Sequence, residues 1–201
     1  MSEGYQPIPI KVSNRFFPKC PNENELFVKR GEAIAARASV LEAEQQTFMT
    51  KITKIFKLPL TDANIGIMLE LYDVVTSDQN LGRPMPSNFT DAEYKQLKYI
   101  YNYLFVLLYA DHLAAIYSTP IVKPILENME SIINGNFGQK KLTVISGHDS
   151  NVAPVLTFMN LTSSECIKKK WNNQTITENC AEPVPFASSL QFELHQKDSS
   201  H

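Results

Sequence analysis

The most constraining stretch of the chain is an apolar run that leads directly into a short polar loop. Leu142, Val144 and Ile145 are followed by Ser146-Gly147-His148-Asp149-Ser150-Asn151 and then by a helix-like pattern. Such a run predicts a buried strand, and the loop predicts the start of a helix. In open α/β sheets, ligands bind at the carboxyl ends of the strands, where the amino terminus of the next helix favours anions. We therefore expect His148 and Asp149 to lie at an anion site.

A simpler interpretation of the same loop involves no ligand. In that interpretation Asp149 caps the helix and His148 hydrogen-bonds the backbone. The six loop residues alone favour this structural role. The choice between the two interpretations depends on the rest of the chain.

Helical segments are indicated by apolar residues that recur at intervals of three and four. Thr90 and Glu93 form a capping-box pair in front of one of them. Pro120 and Pro124 are expected to mark the start of another, which the Asn134-Gly135 pair ends. The helices are expected over about 26–56, 61–76, 90–118 and 120–135.

Three further segments have the patterns of β-strands. Residues 8–12 suit a sheet edge because Pro9 interrupts them, and residues 187–196 alternate between apolar and polar side chains. Lys141–Ser146 does not alternate, so it needs cover on both faces. The chain is therefore predicted to be an α/β domain, with 141–146 as an interior strand and the segments 26–75 and 90–134 as helices on its flank.

The segments taken together resemble the histidine acid phosphatase family, of the lysosomal and prostatic type. His148-Asp149 after an apolar run is similar to the C-terminal signature of that family, and the resemblance covers nearly the whole chain. It implies a phosphoglycerate-mutase-like α/β sheet flanked by helices, here incomplete. It also implies a single partial domain over 1–201 with a largely helical insertion at 60–135. The other segments that carry the resemblance are Gln6-Pro7-Ile8-Pro9-Ile10, Cys20-Pro21, Glu70-Leu71-Tyr72-Asp73, Asn88-Phe89-Thr90, Ile125-Leu126-Glu127-Asn128-Met129, Val184-Pro185-Phe186-Ala187-Ser188 and Phe192-Glu193-Leu194.

The resemblance implies roles for both residues of the pair. His148 would contact the substrate phosphate, and Asp149 would protonate the leaving alcohol during phosphomonoester hydrolysis at acid pH. Family members also carry an Arg-His-Gly-x-Arg-x-Pro strand, whose histidine is the nucleophile and whose arginines hold the phosphate. No Arg-His-Gly occurs in the 201 residues. The chain is therefore expected to be the C-terminal part of the domain and to be inactive alone.

Two functional hypotheses from different classes follow. In the first, the chain is a phosphomonoester hydrolase of the family that lacks its N-terminal part. In the second, it is a non-catalytic pseudoenzyme that acts as a binding or assembly subunit. The strand edge left without the Arg-His-Gly strand would then favour a homodimer or a strand-donating partner.

Composition and spacing argue against several other classes of protein. A net charge of −2, with no Lys/Arg run longer than Lys168-Lys169-Lys170, indicates no nucleic-acid partner. No apolar run of transmembrane length occurs, and the N-terminus lacks the pattern of a signal peptide. No spacing of ligating residues suggests a metal site, and no cofactor is expected.

The cysteines and the sequons point to an oxidising compartment. Cys166 and Cys180 are spaced to close a short loop as a disulfide, whereas Cys20 has no evident partner. Asn88, Asn160 and Asn173 begin Asn-x-Thr sequons and are candidate glycosylation sites. The family resemblance likewise suggests a secreted or lysosomal protein. The alternative for the cysteines is buried reduced thiols in a cytosolic protein.

Overall fold

The computed structural model describes residues 23–109, 114–136, 142–182 and 188–195. About two thirds of these residues are helical. The elements are α1 (Glu23–Ile55), a short 3-10 helix (Leu60–Asp62), α2 (Ile65–Asn80), α3 (Asp91–Tyr109), α4 (Ala114–Ile133), α5 (Asp149–Phe158) and α6 (Ser164–Trp171).

Helix α3 lies at the centre of the helical assembly. It packs against α1, α2, α5 and α6. Every side chain from Tyr101 to Leu107 is buried, which is the pattern of a helix covered on all sides. Full burial of an aliphatic side chain contributes roughly 1.5–3 kcal/mol. The core around α3 includes Met49, Ile52, Met68, Val75, Leu97, Ile100, Leu104, Leu107, Cys166 and Ile167.

The predicted caps account for the start of α3 but not for the start of α2. The carboxylate of Glu93 accepts a hydrogen bond from the backbone N–H of Thr90 at 2.9 Å, and the hydroxyl of Thr90 accepts from the backbone N–H of Ala92 at 3.2 Å, so Thr90 and Glu93 cap α3 as predicted. Helix α2 begins at Ile65 rather than near Asp62. The reason is that Asn64 supplies the cap, its side chain accepting from the backbone N–H of Ile67 at 3.1 Å.

The two prolines of α4 lie inside the helix, which differs from the prediction that they mark its start. Helix α4 begins at Ala114 and continues through Pro120 and Pro124. Each proline removes one backbone donor, and the remaining hydrogen bonds carry the helix across them. The predicted end is confirmed, because the helix stops at Asn134-Gly135, where Gly135 has φ +80°.

The α/β fold class predicted from the sequence is wrong for the part of the chain that the structure describes, which contains helices and no β-strand. Leu142 and Val144, predicted to be interior, are 77% and 80% exposed, and Ile145 is 45% exposed. An apolar run becomes a strand only where a neighbouring strand completes its hydrogen bonds, and the described residues supply none. Residues 188–195 also form no strand, and the predicted strand at 8–12 lies outside the described residues.

The predicted disulfide is confirmed. Cys166, at the start of α6, is bonded to Cys180, with 5.7 Å between the two Cα atoms. The buried Cys166 packs in the core beside α3. Three ion pairs hold α6 and the loop closed by the disulfide to their surroundings: Lys168–Glu44, Lys169–Glu178 and Lys170–Glu182. Cys20 lies outside the described residues.

Candidate functional site

His148 and Asp149 lie at the amino terminus of α5, as the polar loop predicted. His148 is the residue in front of the helix, with φ −106° and ψ 168°, and Asp149 is its first helical residue. Both residues are exposed. A helix amino terminus presents backbone N–H groups and the positive end of the helix dipole. The two residues therefore stand where an anion is favoured.

The sequence of the loop explains how this helix end is held. The side chain of Asn151 folds back and accepts a hydrogen bond from the backbone N–H of His148 at 2.9 Å. A Cβ atom on Gly147 would lie 2.9 Å from Oδ1 of Asn151, which is too close. Gly147 is therefore needed to leave room for the Asn151 cap. Asn151, rather than Asp149, makes this capping bond.

Asp149 makes a local bond in the first turn. Its Oδ1 accepts from the backbone N–H of Ser150 at 2.7 Å. The Asp149 side chain is exposed. The carboxyl group is thus held at the helix end while remaining open to solvent.

Two residues that the sequence did not single out for this site interact with Asp149. Burial raises the pKa of Asp73, on α2, and the charge of Asp149 raises it further, while a hydrogen bond with Tyr101 opposes the shift. Burial also raises the pKa of Tyr101, on α3, with smaller contributions from Asp73 and Asp149. Helices α2, α3 and α5 therefore bring two carboxyl groups and a phenol into one electrostatic environment.

A column of aromatic rings supports that environment. Tyr94 stacks on Tyr72 with 6.0 Å between ring centroids, Tyr72 lies 4.2 Å from Tyr101, and Tyr101 lies 5.5 Å from Phe105. The fully buried Ala153 of α5 packs against Tyr101 and Phe105. The column thus ties α5 to α3. Tyr101 is buried, and Tyr72 and Tyr94 are partly buried against the core.

The arginines that the structure describes with side chains are engaged away from α5. Arg83 forms an ion pair with Asp78 at 2.9 Å, and Arg37 lies 3.5 Å from the hydroxyl of Ser164. Arg15 lies outside the described residues. The features that favour an anion here are therefore His148 and the helix end, and the carboxyl groups of Asp73 and Asp149 oppose it. The site is suited to proton donation from a carboxyl group.

Among the described residues, no group of three or more His, Cys, Asp or Glu side chains is arranged to hold a metal ion. None of the described helices combines the length and the apolar character that a membrane span requires.

The three candidate glycosylation residues are exposed. Asn88 lies in the loop before α3. Asn160 and Asn173 follow α5 and α6, each in the left-handed backbone conformation, with φ +56° and +52°. Asparagine tolerates this conformation better than most residues, so both have a structural role as well.

Comparison with protein families identifies the family of the chain. The family model of the histidine phosphatase superfamily (branch 2) matches residues 10–201. No curated protein and no solved structure matches the chain. The chain belongs to the histidine phosphatase superfamily.

Proposed function

We propose that this member of the histidine phosphatase superfamily belongs to the acid phosphatases and that its substrate class is phosphomonoesters. His148 would hydrogen-bond the substrate phosphate, and Asp149 would protonate the leaving alcohol. The observation that carries the proposal is the position of both residues, exposed and adjacent, at the capped amino terminus of α5. A leaving alkoxide needs a proton at the moment the phosphorus–oxygen bond breaks, and a carboxyl group can supply it.

The acid pH that we propose for the reaction is supported by the second carboxyl group. Burial and the charge of Asp149 both raise the pKa of Asp73. A proton is therefore retained beside Asp149 to a higher pH than an isolated aspartate would allow. We propose that Asp73 and Asp149 share the acid chemistry of the site.

We also propose that the 201-residue chain does not turn over by itself. The family mechanism needs a nucleophile and cationic groups around the phosphate, and no Arg-His-Gly occurs in the sequence. Arg37 and Arg83 contact other groups. Loss of such groups lowers rates by several orders of magnitude.

Two measurements on the purified chain test these proposals. Hydrolysis of p-nitrophenyl phosphate at acid pH should stay at the background rate, whereas turnover that disappears in His148→Ala would contradict the proposed inactivity. Binding of inorganic phosphate, followed by the ¹H–¹⁵N resonances of residues 147–152, should weaken in His148→Ala. His195→Ala is a matched control, because His195 is likewise an exposed histidine and its ring contacts Glu193 at 2.8 Å.

A second candidate function is a binding or assembly subunit, and one observation favours it. Leu142 and Val144 are 77% and 80% exposed in a segment without regular secondary structure that leads into the site. Exposed apolar backbone outside a helix or sheet can pair with another chain. We propose a second copy of the chain or a strand-donating partner as its occupant.

Sedimentation of the purified chain tests this second function. A dimer that dissociates in Val144→Lys but persists in the neighbouring Thr143→Lys would support it. A monomer at all concentrations would argue against self-association.

A further inference from the structure

Two Asn-x-Thr sequons occupy equivalent positions at the ends of consecutive helices. Asn160 follows α5 and Asn173 follows α6, both exposed and both in the left-handed conformation. The asparagines themselves therefore do not distinguish the two sites. The difference lies in the threonine two residues later.

Thr162, the threonine of the first sequon, is held inside the protein. It is 2% exposed, and its hydroxyl donates to the carbonyl oxygen of Ala181 at 2.9 Å. The backbone N–H of Ala181 donates in return to the carbonyl oxygen of Leu161 at 2.7 Å. Ala181 directly follows Cys180, whose bond to Cys166 brings this part of the chain against the end of α5. The sequon and the disulfide are thus joined by two hydrogen bonds.

Thr175, the threonine of the second sequon, is exposed, as is Gln174 before it. The loop that carries them is fixed at its start, where the backbone N–H of Gln174 donates to the carbonyl oxygen of Lys169 at 2.9 Å. The whole acceptor sequence Asn173-Gln174-Thr175 therefore faces solvent in the folded chain.

The chemistry of N-glycosylation makes this difference matter. The side-chain nitrogen of asparagine attacks the anomeric carbon of a lipid-pyrophosphate-linked oligosaccharide. A carbon–nitrogen bond forms, the bond from that carbon to the pyrophosphate oxygen breaks, the lipid pyrophosphate leaves with the electron pair, and the amide proton passes to a base. The acceptor sequence requires a hydroxyl residue at the third position. A transferase must therefore reach that hydroxyl as well as the amide.

We propose that the sequon at Asn173 remains accessible to the transferase in the folded chain. Formation of the Cys166–Cys180 disulfide makes the sequon at Asn160 inaccessible. Asn160 accepts a glycan only before Ala181 forms its hydrogen bonds with Leu161 and Thr162. Glycosylation at Asn160 and disulfide formation therefore compete, whereas glycosylation at Asn173 is independent of the disulfide. This proposal concerns maturation of the chain and does not depend on the proposed hydrolase activity.

The third sequon serves as an internal reference. Asn88 is exposed, but Phe89 is buried against Phe56, with ring centroids 5.1 Å apart. Thr90 is exposed, but its hydroxyl contacts Glu93 within the α3 capping box. These contacts lie at the end of α1 and the start of α3 and do not involve the disulfide. An increase in glycan occupancy at Asn88 would therefore report general unfolding rather than opening of the disulfide loop.

The test uses the full chain, made without glycans, oxidised and folded, and then incubated with microsomal oligosaccharyltransferase and a lipid-linked oligosaccharide. Mass spectrometry of the peptides gives the occupancy of each sequon. We expect occupancy at Asn173 to exceed that at Asn160 several-fold. Equal occupancy, or modification of Asn160 ahead of Asn173, would overturn the proposal.

Variants separate the contributions of the sequon and the disulfide. Thr175→Ala should abolish modification of Asn173 while leaving its left-handed turn in place, and Thr175→Ser should retain it. Cys180→Ser should raise occupancy at Asn160 several-fold, and Cys20→Ser, which leaves the Cys166–Cys180 pair intact, should not. Unchanged occupancy at Asn160 in Cys180→Ser, or an equal rise in occupancy at Asn88, would contradict the proposed role of the disulfide. The comparison of Asn173 with Asn160 in the unaltered chain stands even if Cys180→Ser does not fold.

Discussion

The side chain of Asn151 accepts a hydrogen bond from the backbone N–H of His148 at 2.9 Å, so the residue that caps α5 also fixes the backbone of the candidate phosphate-contacting histidine. Gly147 leaves the space in which Asn151 makes this bond. The geometry of the site and the stability of α5 consequently depend on the same three residues.

Removal of the α5 cap should cost stability. Asn151→Ala is expected to lower the free energy of unfolding by about 1 kcal/mol, the usual cost of losing a side-chain cap. Gly147→Ala should act in the same direction because its Cβ would displace the Asn151 side chain. Urea denaturation measures both changes. Asn80→Ala, at the exposed end of α2, is the control and should have a smaller effect.

The ion pair between Lys51 and Glu93 should make stability depend on acid pH. A hydrogen bond from Lys51, with others from Thr90, lowers the pKa of Glu93 to about 2 from its ordinary value of 4.5. Because the folded-state pKa is depressed, the stabilisation is present above pH 4.5 and is lost as the pH falls towards 2. Glu93→Gln should be less stable than the unaltered chain at pH 6 and nearly equal to it near pH 2.

Thermal unfolding followed by circular dichroism at several pH values checks the Glu93 prediction. Glu127→Gln, which removes the exposed pair with Lys123, is the control and should leave the pH dependence unchanged. A melting-temperature difference for Glu93→Gln that does not vary with pH would contradict the assignment.

Asp73 should have the opposite effect on how stability depends on pH. Burial, and then the charge of Asp149, raise its pKa above the ordinary value of 3.8. Because the folded-state pKa is raised, the contribution of Asp73 to stability is greatest below pH 3.8 and is lost as the pH rises through the folded-state pKa. Asp73→Asn should therefore melt at a higher temperature than the unaltered chain at pH 7, and the difference should shrink at pH 3.

A double-mutant comparison tests the cause of the Asp73 shift. In an Asp149→Asn background, the rise in melting temperature caused by Asp73→Asn at pH 7 should be smaller. The reason is that the charge of Asp149, one of the two factors that disfavour the charged form of Asp73, has been removed. A gain of the same size in both backgrounds would show that the two carboxyl groups do not interact.

Reduction of the disulfide should destabilise the chain. The Cys166–Cys180 bond spans a sequence separation of 14 residues. Closing a loop of that size in the unfolded state is worth about 3 kcal/mol in the chain-entropy treatment. Denaturation of the oxidised chain and of Cys166→Ala/Cys180→Ala measures the difference. A loss well below 1 kcal/mol would indicate that the unfolded chain is already compact in this region.

Local sequence patterns predicted the helices better than the sheet. The caps at Thr90 and at Asn134-Gly135 were found because their hydrogen bonds involve residues close in sequence. The exposed run at Leu142 and Val144 was misassigned because an apolar pattern does not reveal whether a neighbouring strand exists. The prolines of α4 were misplaced because a helix can continue through a proline when the rest of its bonds remain.

The candidate site was predicted only in part for a related reason. His148 and Asp149 are adjacent, and their loop marks them directly. Asp73 and Tyr101 reach Asp149 through the packing of α2 and α3 against α5, and no spacing in the sequence connects the three. In the sequence, Asp73 stands out only as part of the family-like segment Glu70-Leu71-Tyr72-Asp73.

The complete burial of α3 from Tyr101 to Leu107 determines how the chain opens. Since α1, α2, α5 and α6 each pack against it, the amides from Tyr101 to Leu107 can meet solvent only when those neighbours separate. Their hydrogen exchange should therefore report the global unfolding free energy, whereas the exposed C-terminal end of α4 exchanges through local fraying. The amides of this part of α3 therefore become exposed only on global unfolding. Asp73 and Asp149 stay close together until that happens.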